Sequence, residues 1–399
     1  MSRVTLQTIA DTVGVSRMTV SNAFSRPGKL SPELRDRILS VAEDLGYVGP
    51  DPAARALARG STGVVGVLFS TMLRNVFAEE VTTAFLGAVA DGLVGSGLSL
   101  ALLTTDDAGG WIPTRDVPMD ATLVFTGRFD APAMNWLRKR GLPLVLVDQE
   151  PIPGVAAVNV DDHGGARLAA EHLLAVGHRR IGIVTVGMAE PYGVQEAGTA
   201  VDPLTPESYI ARERIRGWLD ALGSAGVTPV VVKQPKMPYR PETDGYAALT
   251  MLLETDPGIT GVLCFSDRFA AGVLAAALDR GLAVPGDLSI VGFDDSPVAS
   301  NARPQLTTVR QDLAAKGHAA AEGLIAAVQS RVATRTESAQ ETPDAATHVV
   351  LPVELIIRDS TGPAAAGVPP GSTGGSPGSK GRARKASAAP RRRVGSHHE

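Results

Sequence analysis

The sequence lacks the features that mark exported, disulfide-bonded or membrane-spanning proteins. Its single cysteine, Cys264, excludes an intramolecular disulfide, and zinc-binding motifs need more than one cysteine. No apolar run reaches the roughly 18 residues that a membrane span requires. Residues 1–15 carry polar side chains where a signal peptide would have its apolar stretch. We therefore expect a cytoplasmic protein that does not contact a membrane.

Motifs of nucleotide-binding and hydrolytic enzymes are also missing or misplaced. No G-x-G-x-x-G follows a strand, and Gly28-Lys29 is followed by leucine instead of the Ser or Thr of a Walker loop. The match to G-x-S-x-G at 374–378 lies in a low-complexity segment rather than at a strand-to-helix turn. Asp161-Asp162-His163 is better explained as an acid-capped helix start than as a metal site. We predict no catalytic residues, no cofactor and no metal.

The net charge of −4 is unevenly distributed along the 399 residues. Residues 1–61 carry 8 basic and 6 acidic side chains, residues 62–361 carry 23 and 35, and residues 362–399 carry 7 and 1. The two ends are therefore basic and the middle is acidic. We expect any polyanion to bind the ends of the chain, because the acidic middle repels it.

The last segment, 361–399, is predicted to be disordered. From residue 362 onward, 26 of 38 residues are Gly, Pro, Ala, Ser or Thr, and the only branched aliphatic residues are Val368 and Val394. Such a segment cannot bury enough apolar surface to offset the entropy of ordering it. Its basic clusters, KGRARK and RRR, either contact phosphates non-specifically or remain fully solvated.

Residues 62 to about 360 alternate short apolar runs with amphipathic helical stretches, which predicts parallel α/β sheets. This pattern is too long for one sheet, so we expect two lobes. Ligands of such folds bind beyond the carboxyl ends of the strands. The predicted strands are 64–69, 98–103, 121–125, 142–147, 180–186, 261–265 and 288–293, with helices over 166–175 and 270–280 and a polar loop over 331–347.

Residues 1–48 are predicted to form three helices and no strand. Thr5 and Ser16 can cap the first two helices, and Gly14 between them can take the left-handed conformation that ends a helix. Ser31-Pro32-Glu33 strongly indicates the start of the third helix. It supplies a capping hydroxyl, a proline at the first helical position and an acid at the positive end of the helix dipole. We expect the third helix to end at Gly46.

LQTIADTVGVSRMTVSNAF has the spacing of a helix-turn-helix motif. The small Ala10 lets the two helices cross closely, and Val13 and Val20 lock the pair, so that the second helix presents its outer face. A helical hairpin without a partner would have the same pattern. DNA binding is favoured by the short helix predicted for 51–58, which is too small and polar to bury itself and joins this head to the body.

These residues and several later motifs resemble the lactose-repressor/galactose-repressor (LacI/GalR) family of transcription factors, from residue 3 to about 360. The ordered matches are VTLQTIADTVGVSRMTVSNAF, LSPELRDRI, LGYVGPDPAARALA, GARLAAEHLLAVGHRRIGIV, ARERIRGW, DRFAAGVLAAALDRGLAVPGDLSIVGFDDSPVA, RPQLTTVRQD and LPVELIIRDS. Gly49 is a departure, because it adds one residue to the commoner Tyr-x-Pro-Asn-Pro form of the linker.

The resemblance implies an all-α helix-turn-helix head, a hinge helix and a two-lobed α/β body like a periplasmic sugar-binding protein. The expected domains are the DNA-binding domain 1–48, the hinge helix and linker 49–61, the N-terminal lobe 62–160 and 311–331, the C-terminal lobe 161–310 and 348–360, and the tail 361–399. The chain is expected to cross between the lobes near 160–161, near 308–311 and within 331–347.

The resemblance also implies which residues contact DNA. Arg17 and Met18 occupy the two positions that read bases in the major groove, where Arg17 suits guanine and Met18 suits a thymine methyl, while Asn22 suits adenine. Leu57 corresponds to the hinge leucine that wedges into the minor groove beside that of its dimer mate. The alternatives are a partly buried Met18 and a Leu57 that rests on the body. The remaining predicted DNA contacts are Thr5, Ser16, Thr19, Ser21 and Ala54.

Arg214 and Asp294 match the family positions that hold an effector between the lobes. A guanidinium offers forked donors and a carboxylate accepts two hydroxyls, which suits a sugar, another polyol or a carboxylate-bearing metabolite. The alternatives are an exposed helix arginine for Arg214 and helix capping for the carboxylates of Asp267 and Asp294. Further polar residues at strand ends are expected to line this cleft, namely Ser70, Asp148, Ser266 and Asp267.

The sequence therefore predicts a homodimeric transcriptional regulator, a repressor, that binds palindromic operator DNA and responds to a small polar effector such as a carbohydrate. A solute-binding protein with the same body and an α/β enzyme are the alternatives. The head argues against the first, and the lack of a visible catalytic site argues against the second. A dimer is expected rather than a tetramer, because the tail has no leucine for the C-terminal heptads that tetramers of the family can use.

Overall fold

The computed structural model describes residues 4–25, 27–49, 51–70, 72–105, 110–126, 132–187, 190–195, 208–235, 240–336 and 347–364. The tail predicted to be disordered lies outside these residues from position 365 onward, and so do residues 337–346 of the predicted loop. The prediction of disorder is wrong for residues 361–364, where Gly362 N donates to Ser289 Oγ at 3.1 Å and Ala364 N donates to the carbonyl oxygen of Val176 at 2.9 Å. No helix within the described ranges is long and apolar enough to cross a membrane.

The head is all-α, as predicted, and its helices enclose one apolar cluster. α1 spans Leu6–Val13, α2 spans Arg17–Ser25 and α3 spans Pro32–Asp44, with a 3-10 turn over Pro27–Lys29. α3 ends two residues before the predicted Gly46, which takes a left-handed φ of 68°. The buried residues of the cluster are Ile9, Ala10, Val13, Val20, Ala23, Ile38 and Ala42.

α4 (Pro52–Arg59) follows the head at the position of the predicted hinge helix. The Asp51 carboxylate accepts a hydrogen bond from the backbone nitrogen of Ala54 at 3.1 Å and so caps the first turn. Gly49 has a φ of 110°, a conformation that favours glycine over residues with a Cβ. The extra linker residue is thus accommodated by a glycine turn.

The rest of the described chain alternates strands and helices. The strands are β1 (Val64–Phe69), β2 (Ser99–Thr104), β3 (Ala121–Phe125), β4 (Leu144–Val147), β5 (Ala156–Val160), β6 (Ile181–Gly187), β7 (Gly193–Gln195), β8 (Val230–Pro235), β9 (Gly261–Cys264), β10 (Ser289–Asp294), β11 (Thr307–Gln311), β12 (His348–Leu351) and β13 (Val353–Ile356). The helices are α5 (Leu73–Ala78), α6 (Glu80–Gly92), α7 (Pro113–Asp116), α8 (Pro132–Lys139), α9 (Asp162–Ala175), α10 (Tyr209–Ser224), α11 (Pro241–Thr255), α12 (Asp267–Asp279), α13 (Pro297–Asn301) and α14 (Leu313–Thr336).

These strands form two sheets, and each sheet is the centre of one lobe. The first lobe has a six-stranded, entirely parallel sheet with the order β12-β5-β4-β3-β1-β2. The second lobe has the order β13-β11-β10-β9-β6-β8-β7, in which only the edge strands β7 and β13 are antiparallel to their neighbours. The predicted α/β fold class is therefore confirmed.

Helices cover both faces of each sheet, which is why the central strands are apolar on both sides. In the first lobe, Phe85 of α6 and Leu324 of α14 lie in the core of one face. Met134 and Leu137 of α8 lie in the core of the other face. In the second lobe, α11 and α12 cover one face and α9 and α10 cover the other.

Residues 348–360 do not belong to the C-terminal lobe as a unit, which corrects our domain boundary. β12 pairs with β5 in the first sheet, whereas β13 pairs with β11 in the second. Pro352 lies between them and cannot donate a ladder hydrogen bond, so the chain can leave one sheet and enter the other at this residue. The other two crossings lie between β5 and α9 and between β11 and α14.

The prediction of a loop over 331–347 is wrong at the start of that range. The third crossing between the lobes also lies after this range and not within it. α14 continues through residues 331–336, and its residues from Ala319 to Val328 pack on the first sheet. The chain returns to the first sheet as β12 before it crosses at Pro352.

Gly217 of α10 should not tolerate a larger side chain, because a Cβ there would lie 2.1 Å from the carbonyl oxygen of His163 on α9. We expect Gly217→Ala to lower the free energy of unfolding by about 1–3 kcal/mol, the usual cost of overpacking. Gly223→Ala on the same helix is the control, since its Cβ would meet nothing within 4 Å. Urea denaturation of both variants tests the packing, and an equal loss in the two would contradict it.

Candidate functional site

Well-defined caps stand at both ends of α1 and at the start of α2. Thr5 Oγ1 accepts a hydrogen bond from the backbone nitrogen of Thr8 at 3.3 Å, and Gly14 ends α1 with a φ of 78°. Ser16 Oγ accepts from the backbone nitrogen of Thr19 at 3.1 Å and lies 2.8 Å from the Thr19 hydroxyl. These caps fix the angle at which α2 leaves the turn.

The remaining side chains predicted to contact DNA in the head lie on α2. Arg17 and Met18 are in its first turn and are both exposed, with 69% of Met18 accessible. The alternative of a partly buried Met18 is therefore wrong. Val20 on the opposite side of the helix is fully buried. Ser21 and Asn22 follow one turn later and are half-buried.

The hinge helix presents an apolar side chain to solvent. Leu57 is 86% exposed, and Ala54 one turn earlier is exposed as well. The alternative of a Leu57 that rests on the body is therefore wrong. An isolated, fully accessible leucine on a short helix is available to insert between bases.

The segment that follows the hinge helix, residues 61–63, is fixed by one carboxylate. Asp120 accepts hydrogen bonds from Ser61 Oγ at 2.7 Å, from Thr62 N at 2.9 Å and from Gly63 N at 2.8 Å. Burial alone would raise the pKa of Asp120, but these hydrogen bonds together hold the pKa below its usual value. We call residues 61–63 the anchor segment.

The carboxyl ends of the strands carry the other predicted site residues, and their backbone there is strained. Among the described residues, the non-glycine positions with positive φ are Thr126 (50°), Asp148 (56°), Asp294 (109°) and Asp295 (52°). They lie at the ends of β3, β4 and β10. Such conformations cost roughly 1–3 kcal/mol each and persist where the surroundings impose them, commonly at ligand sites.

Arg214 is the centre of the polar cluster in the second lobe and is only 3% exposed. Its Nε donates to Asp162 Oδ1 at 2.8 Å, its Nη2 donates to Asp294 Oδ1 at 3.3 Å, and its Nη1 donates to the carbonyl oxygen of Phe265. The guanidinium carbon lies 3.5 Å from the ring centre of Phe293. The alternative of an exposed Arg214 is therefore wrong.

Asp148 belongs to a second buried ion pair, in the first lobe. Lys316 Nζ on α14 lies 2.9 Å and 2.8 Å from the two carboxylate oxygens of Asp148. Both side chains are almost fully buried. Both charges of this pair act on the pKa of Asp162, and Lys316 also acts on the pKa of Asp294, which places the two clusters within electrostatic range of each other.

Asp267 has hydrogen-bond partners but forms no ion pair with any residue that the structure describes. Its Oδ1 accepts from the Thr308 hydroxyl at 2.5 Å, and its Oδ2 accepts from the backbone nitrogen of Ser296 at 2.7 Å. These partners lie on other elements, so its side chain joins α12 to β11 and α13 and does not cap its own helix. Asp267 thus accepts a hydrogen bond at the start of α13. The Oδ1 of Asp294 instead accepts from Arg214 and Gln311.

Several buried polar atoms of this region have no hydrogen-bond partner among the described residues. They are Ser266 Oγ, Asp162 Oδ2 and Gln311 Oε1. Buried polar atoms are nearly always satisfied in native proteins, by protein groups, water or a ligand. Ser70, by contrast, is exposed and donates to the carbonyl oxygen of Thr126 at 3.1 Å.

Burial shifts the protonation equilibria of the carboxyls that surround Arg214. It raises the pKa of Asp162 to about 6, against the opposing effect of Arg214. Burial also raises the pKa of Asp267, which Asp294 raises further, and that of Asp294 itself. The cluster holds more carboxyls than cations, so at neutral pH part of it is protonated or poised to lose a proton.

The sequence did not predict three residues of this cluster: Asp162, Gln311 and Lys316. Asp162 was interpreted as part of a helix start, a role that its neighbour Asp161 performs by accepting from Gly164 N at 2.8 Å. A lysine at the start of α14 has no local partner that would reveal its burial. One acid suffices to cap the start of a helix. The second acid in Asp161-Asp162 was therefore the available signal that Asp162 has another partner.

The raised carboxyl pKa values predict how stability depends on pH. The unfolded pKa of aspartate is about 3.9, so the stabilisation from a raised folded pKa is complete below that value and is lost as the pH rises through the folded value. For Asp162 this loss runs from about pH 4 to about pH 6 and is complete above its folded pKa. We expect the free energy of unfolding to fall between about pH 4 and 8 through these groups, because the folded pKa of Asp267 is about 8.

Asp267→Asn should flatten this dependence, because it removes one titrating group and the repulsion on Asp294. Asp91→Asn, at an exposed position of α6, should leave the slope unchanged. The measurement is chemical denaturation at several pH values for the parent and both variants. A slope that is the same in all three would show that Asp267 does not titrate in this range.

Sequence comparisons identify both parts of the chain. The family of bacterial regulatory proteins of the lacI type matches residues 5–49, and the periplasmic binding protein-like domain matches residues 170–361. An HTH-type transcriptional regulator of Mycolicibacterium smegmatis is 36% identical over 330 residues, which cover 80% of this chain and 89% of the relative. The HTH-type transcriptional regulator IpsA of Corynebacterium glutamicum is 35% identical over 329 residues, with 80% and 90% covered.

A solved structure extends the similarity to the arrangement of the body. The complex of the transcriptional regulator CelR with cellobiose is 26% identical, has a TM-score of 0.62 and covers 90% of this chain and all of that chain. The sequence relatives are named as transcriptional regulators, not as enzymes. The chain belongs to the LacI family of DNA-binding transcriptional regulators.

Proposed function

We propose that this regulator is a homodimeric repressor whose affinity for a palindromic operator is set by a small polar effector, a carbohydrate, bound between the lobes. Binding of the effector shifts the population between lobe arrangements, and this shift requires a different affinity for each arrangement. The observation that carries the proposal is the buried polar cluster around Arg214, with unpaired oxygens on Asp162, Ser266 and Gln311.

Sequence-specific DNA contact is assigned to the exposed part of α2. Arg17 can donate two hydrogen bonds to one guanine, Met18 can contact a thymine methyl, and Asn22 can pair with adenine. The hydroxyls of Thr5, Ser16, Thr19 and Ser21 are assigned to phosphates, which position the head without specifying a sequence. Leu57 is assigned to the minor groove, with Ala54 beside it on the hinge helix.

The effector is assigned to the cleft lined by Ser70, Asp148, Arg214, Ser266, Asp267 and Asp294. The three donors of Arg214 that contact Asp162, Phe265 and Asp294 are already engaged, which leaves the guanidinium with little to offer an anionic ligand. Carboxylates and an unpaired hydroxyl instead suit the hydroxyl groups of a neutral polyol. The cellobiose bound to CelR supports a sugar for this chain as well.

A second copy of the chain is part of the proposal because a palindrome has two half-sites. The body also exposes apolar side chains that a partner would cover. Tyr246 of α11 and Leu278 of α12 are both exposed, and the Tyr246 hydroxyl lies 3.1 Å from Asp279 Oδ2. These two helices therefore offer one continuous surface for association.

Leu57→Ala should weaken specific DNA binding far more than non-specific binding, because a wedge acts only where the duplex bends. We expect a loss of at least about tenfold on a palindromic duplex selected from random sequences by the full chain. On a duplex without the selected site the loss should be small. Val48→Ala is the control, since Val48 at the end of the head is another fully exposed apolar residue. Equal losses on both duplexes would remove the wedge role.

A thermal-shift screen over neutral sugars, including cellobiose, tests the effector site. A sugar present at a hundred times its dissociation constant should add about 2.7 kcal/mol to the stability. Ser70→Ala should weaken its binding about tenfold, the effect of one lost hydrogen bond. Arg214→Ala is less informative, because it would leave two buried carboxyls without their cation.

Ser224→Ala, on the last turn of α10, is the control for the sugar titration. The same sugar should change the affinity for the selected duplex in the parent. A sugar that stabilises the protein but leaves DNA binding unchanged would contradict the regulatory role. A screen in which no neutral sugar stabilises the protein would contradict the assigned ligand class.

A further inference from the structure

The anchor segment directly follows the hinge helix, so whatever moves Asp120 moves the exit of that helix. Gly60 takes a φ of 69° at the end of α4, and the next three residues are all bound to the Asp120 carboxylate at 2.7–2.9 Å. Asp120 itself is 7% exposed and immediately precedes β3. The anchor segment is thereby fixed to the first lobe and not to the head.

The same aspartate is contacted by the far end of α14. Arg331 Nη1 donates to the backbone carbonyl oxygen of Asp120 at 3.0 Å. Fifteen residues earlier on this helix, Lys316 forms the buried pair with Asp148 in the cleft. At 1.5 Å per residue, the two contacts are about 22 Å apart. One helix therefore connects the cleft with the anchor segment.

α14 is packed tightly enough to move as a rigid element. A Cβ on Gly317 would lie 2.4 Å from the Cβ of Ala88, and a Cβ on Gly92 would lie 2.7 Å from the Cβ of Ala321. Both contacts join α14 to α6 without space between the two helices. Leu324 and other residues of α14 are buried against the sheet. A displacement at one end of such a helix reaches the other end with little loss.

The start of α14 is also the point where the chain leaves the second lobe. Gln311, the last residue of β11, donates to Asp294 Oδ1 at 2.8 Å, and α14 begins two residues later. β1 and β3 also run between the anchor region and the cleft. They do not, however, follow directly on a strand of the second sheet. Of α14, β1 and β3, only α14 is therefore continuous in the chain with a strand of the second sheet.

We propose that α14 and Asp120 form the mechanical connection from the effector cleft to the hinge helix, with Arg331 and Asp120 as positioning residues for that helix. This connection rests on the proposed function, since it is the route by which an effector would alter operator binding. β1 offers the competing route, because it leads from the anchor segment directly to Ser70.

A double-mutant cycle read by hydrogen exchange of the full chain distinguishes these routes without DNA or ligand. Asp148→Asn perturbs the cleft end of α14, and Arg331→Ala removes the contact at the other end. We expect Asp148→Asn to speed the exchange of a peptide covering residues 60–66 about threefold or more. In the Arg331→Ala background this response should largely disappear. Arg331→Lys, which keeps a donor, should restore much of it.

Glu322→Gln is the matched control, because Glu322 is an exposed residue of the same helix. It should leave the response to Asp148→Asn intact, and the melting temperature of each Arg331 variant reports any general loss of structure. If Asp148→Asn disturbs folding, Gln311→Met perturbs the same end of α14 more mildly. A response of equal size with and without Arg331 would overturn the proposal in favour of β1, and so would no response to either cleft variant.

The result of this mutant cycle does not depend on whether the proposed function is correct. If no sugar binds but the cycle shows coupling, the ligand assignment is wrong and the connection stands. If a sugar regulates DNA binding but the cycle shows no coupling, the regulator is right and the route is wrong.

Discussion

The structure of the cleft depends on the cost of burying the Arg214 guanidinium. A charge removed from water is tolerated only with close counter-charges and satisfied donors. Asp162 at the start of α9, the carbonyl of Phe265 after β9 and Asp294 at the end of β10 supply them. Each partner belongs to a different element, so the arginine fixes the relative positions of a helix and two strand ends. This side of the proposed cleft is therefore held in shape by protein contacts alone, which would lower the entropic cost of binding a ligand there.

The head and the central strands of the body were predictable because their signals are local. Caps at Thr5, Ser16 and Ser31 depend on neighbours within three residues, and a strand buried on both faces is apolar throughout. The split of 348–360 was not predictable in this way. HVVL and VELI have similar patterns, and only long-range pairing with β5 or β11 decides which sheet each joins. Short edge strands such as β7 carry even less local signal.

The candidate site was predicted residue by residue but not as a set of contacts. Polar residues at strand ends mark where a ligand binds in a parallel sheet, and this rule predicted Ser70, Asp148, Ser266 and Asp267, while Asp294 was predicted from the family resemblance. It could not indicate that Asp148 is paired with Lys316, because the two are 168 positions apart in the chain. Partner choice decides which charges remain available to a ligand. The sequence alone therefore left a carboxylate-bearing effector open, a possibility that the occupied donors of Arg214 disfavour.

The interleaved path of the chain through the two lobes also sets the order in which the protein can fold during synthesis. The head is complete once residue 49 has emerged from the ribosome, since its core uses no later residue. The first sheet has five of its strands by residue 160, yet the helix that covers one of its faces ends at residue 336 and its last strand ends at residue 351. While residues 161–336 are being made, that apolar face has α6 but not the complete α14, so part of it has no cover. Such surfaces aggregate readily or are bound by chaperones. The lobe nearest the DNA-binding head in sequence is thus among the last parts of the protein to be finished.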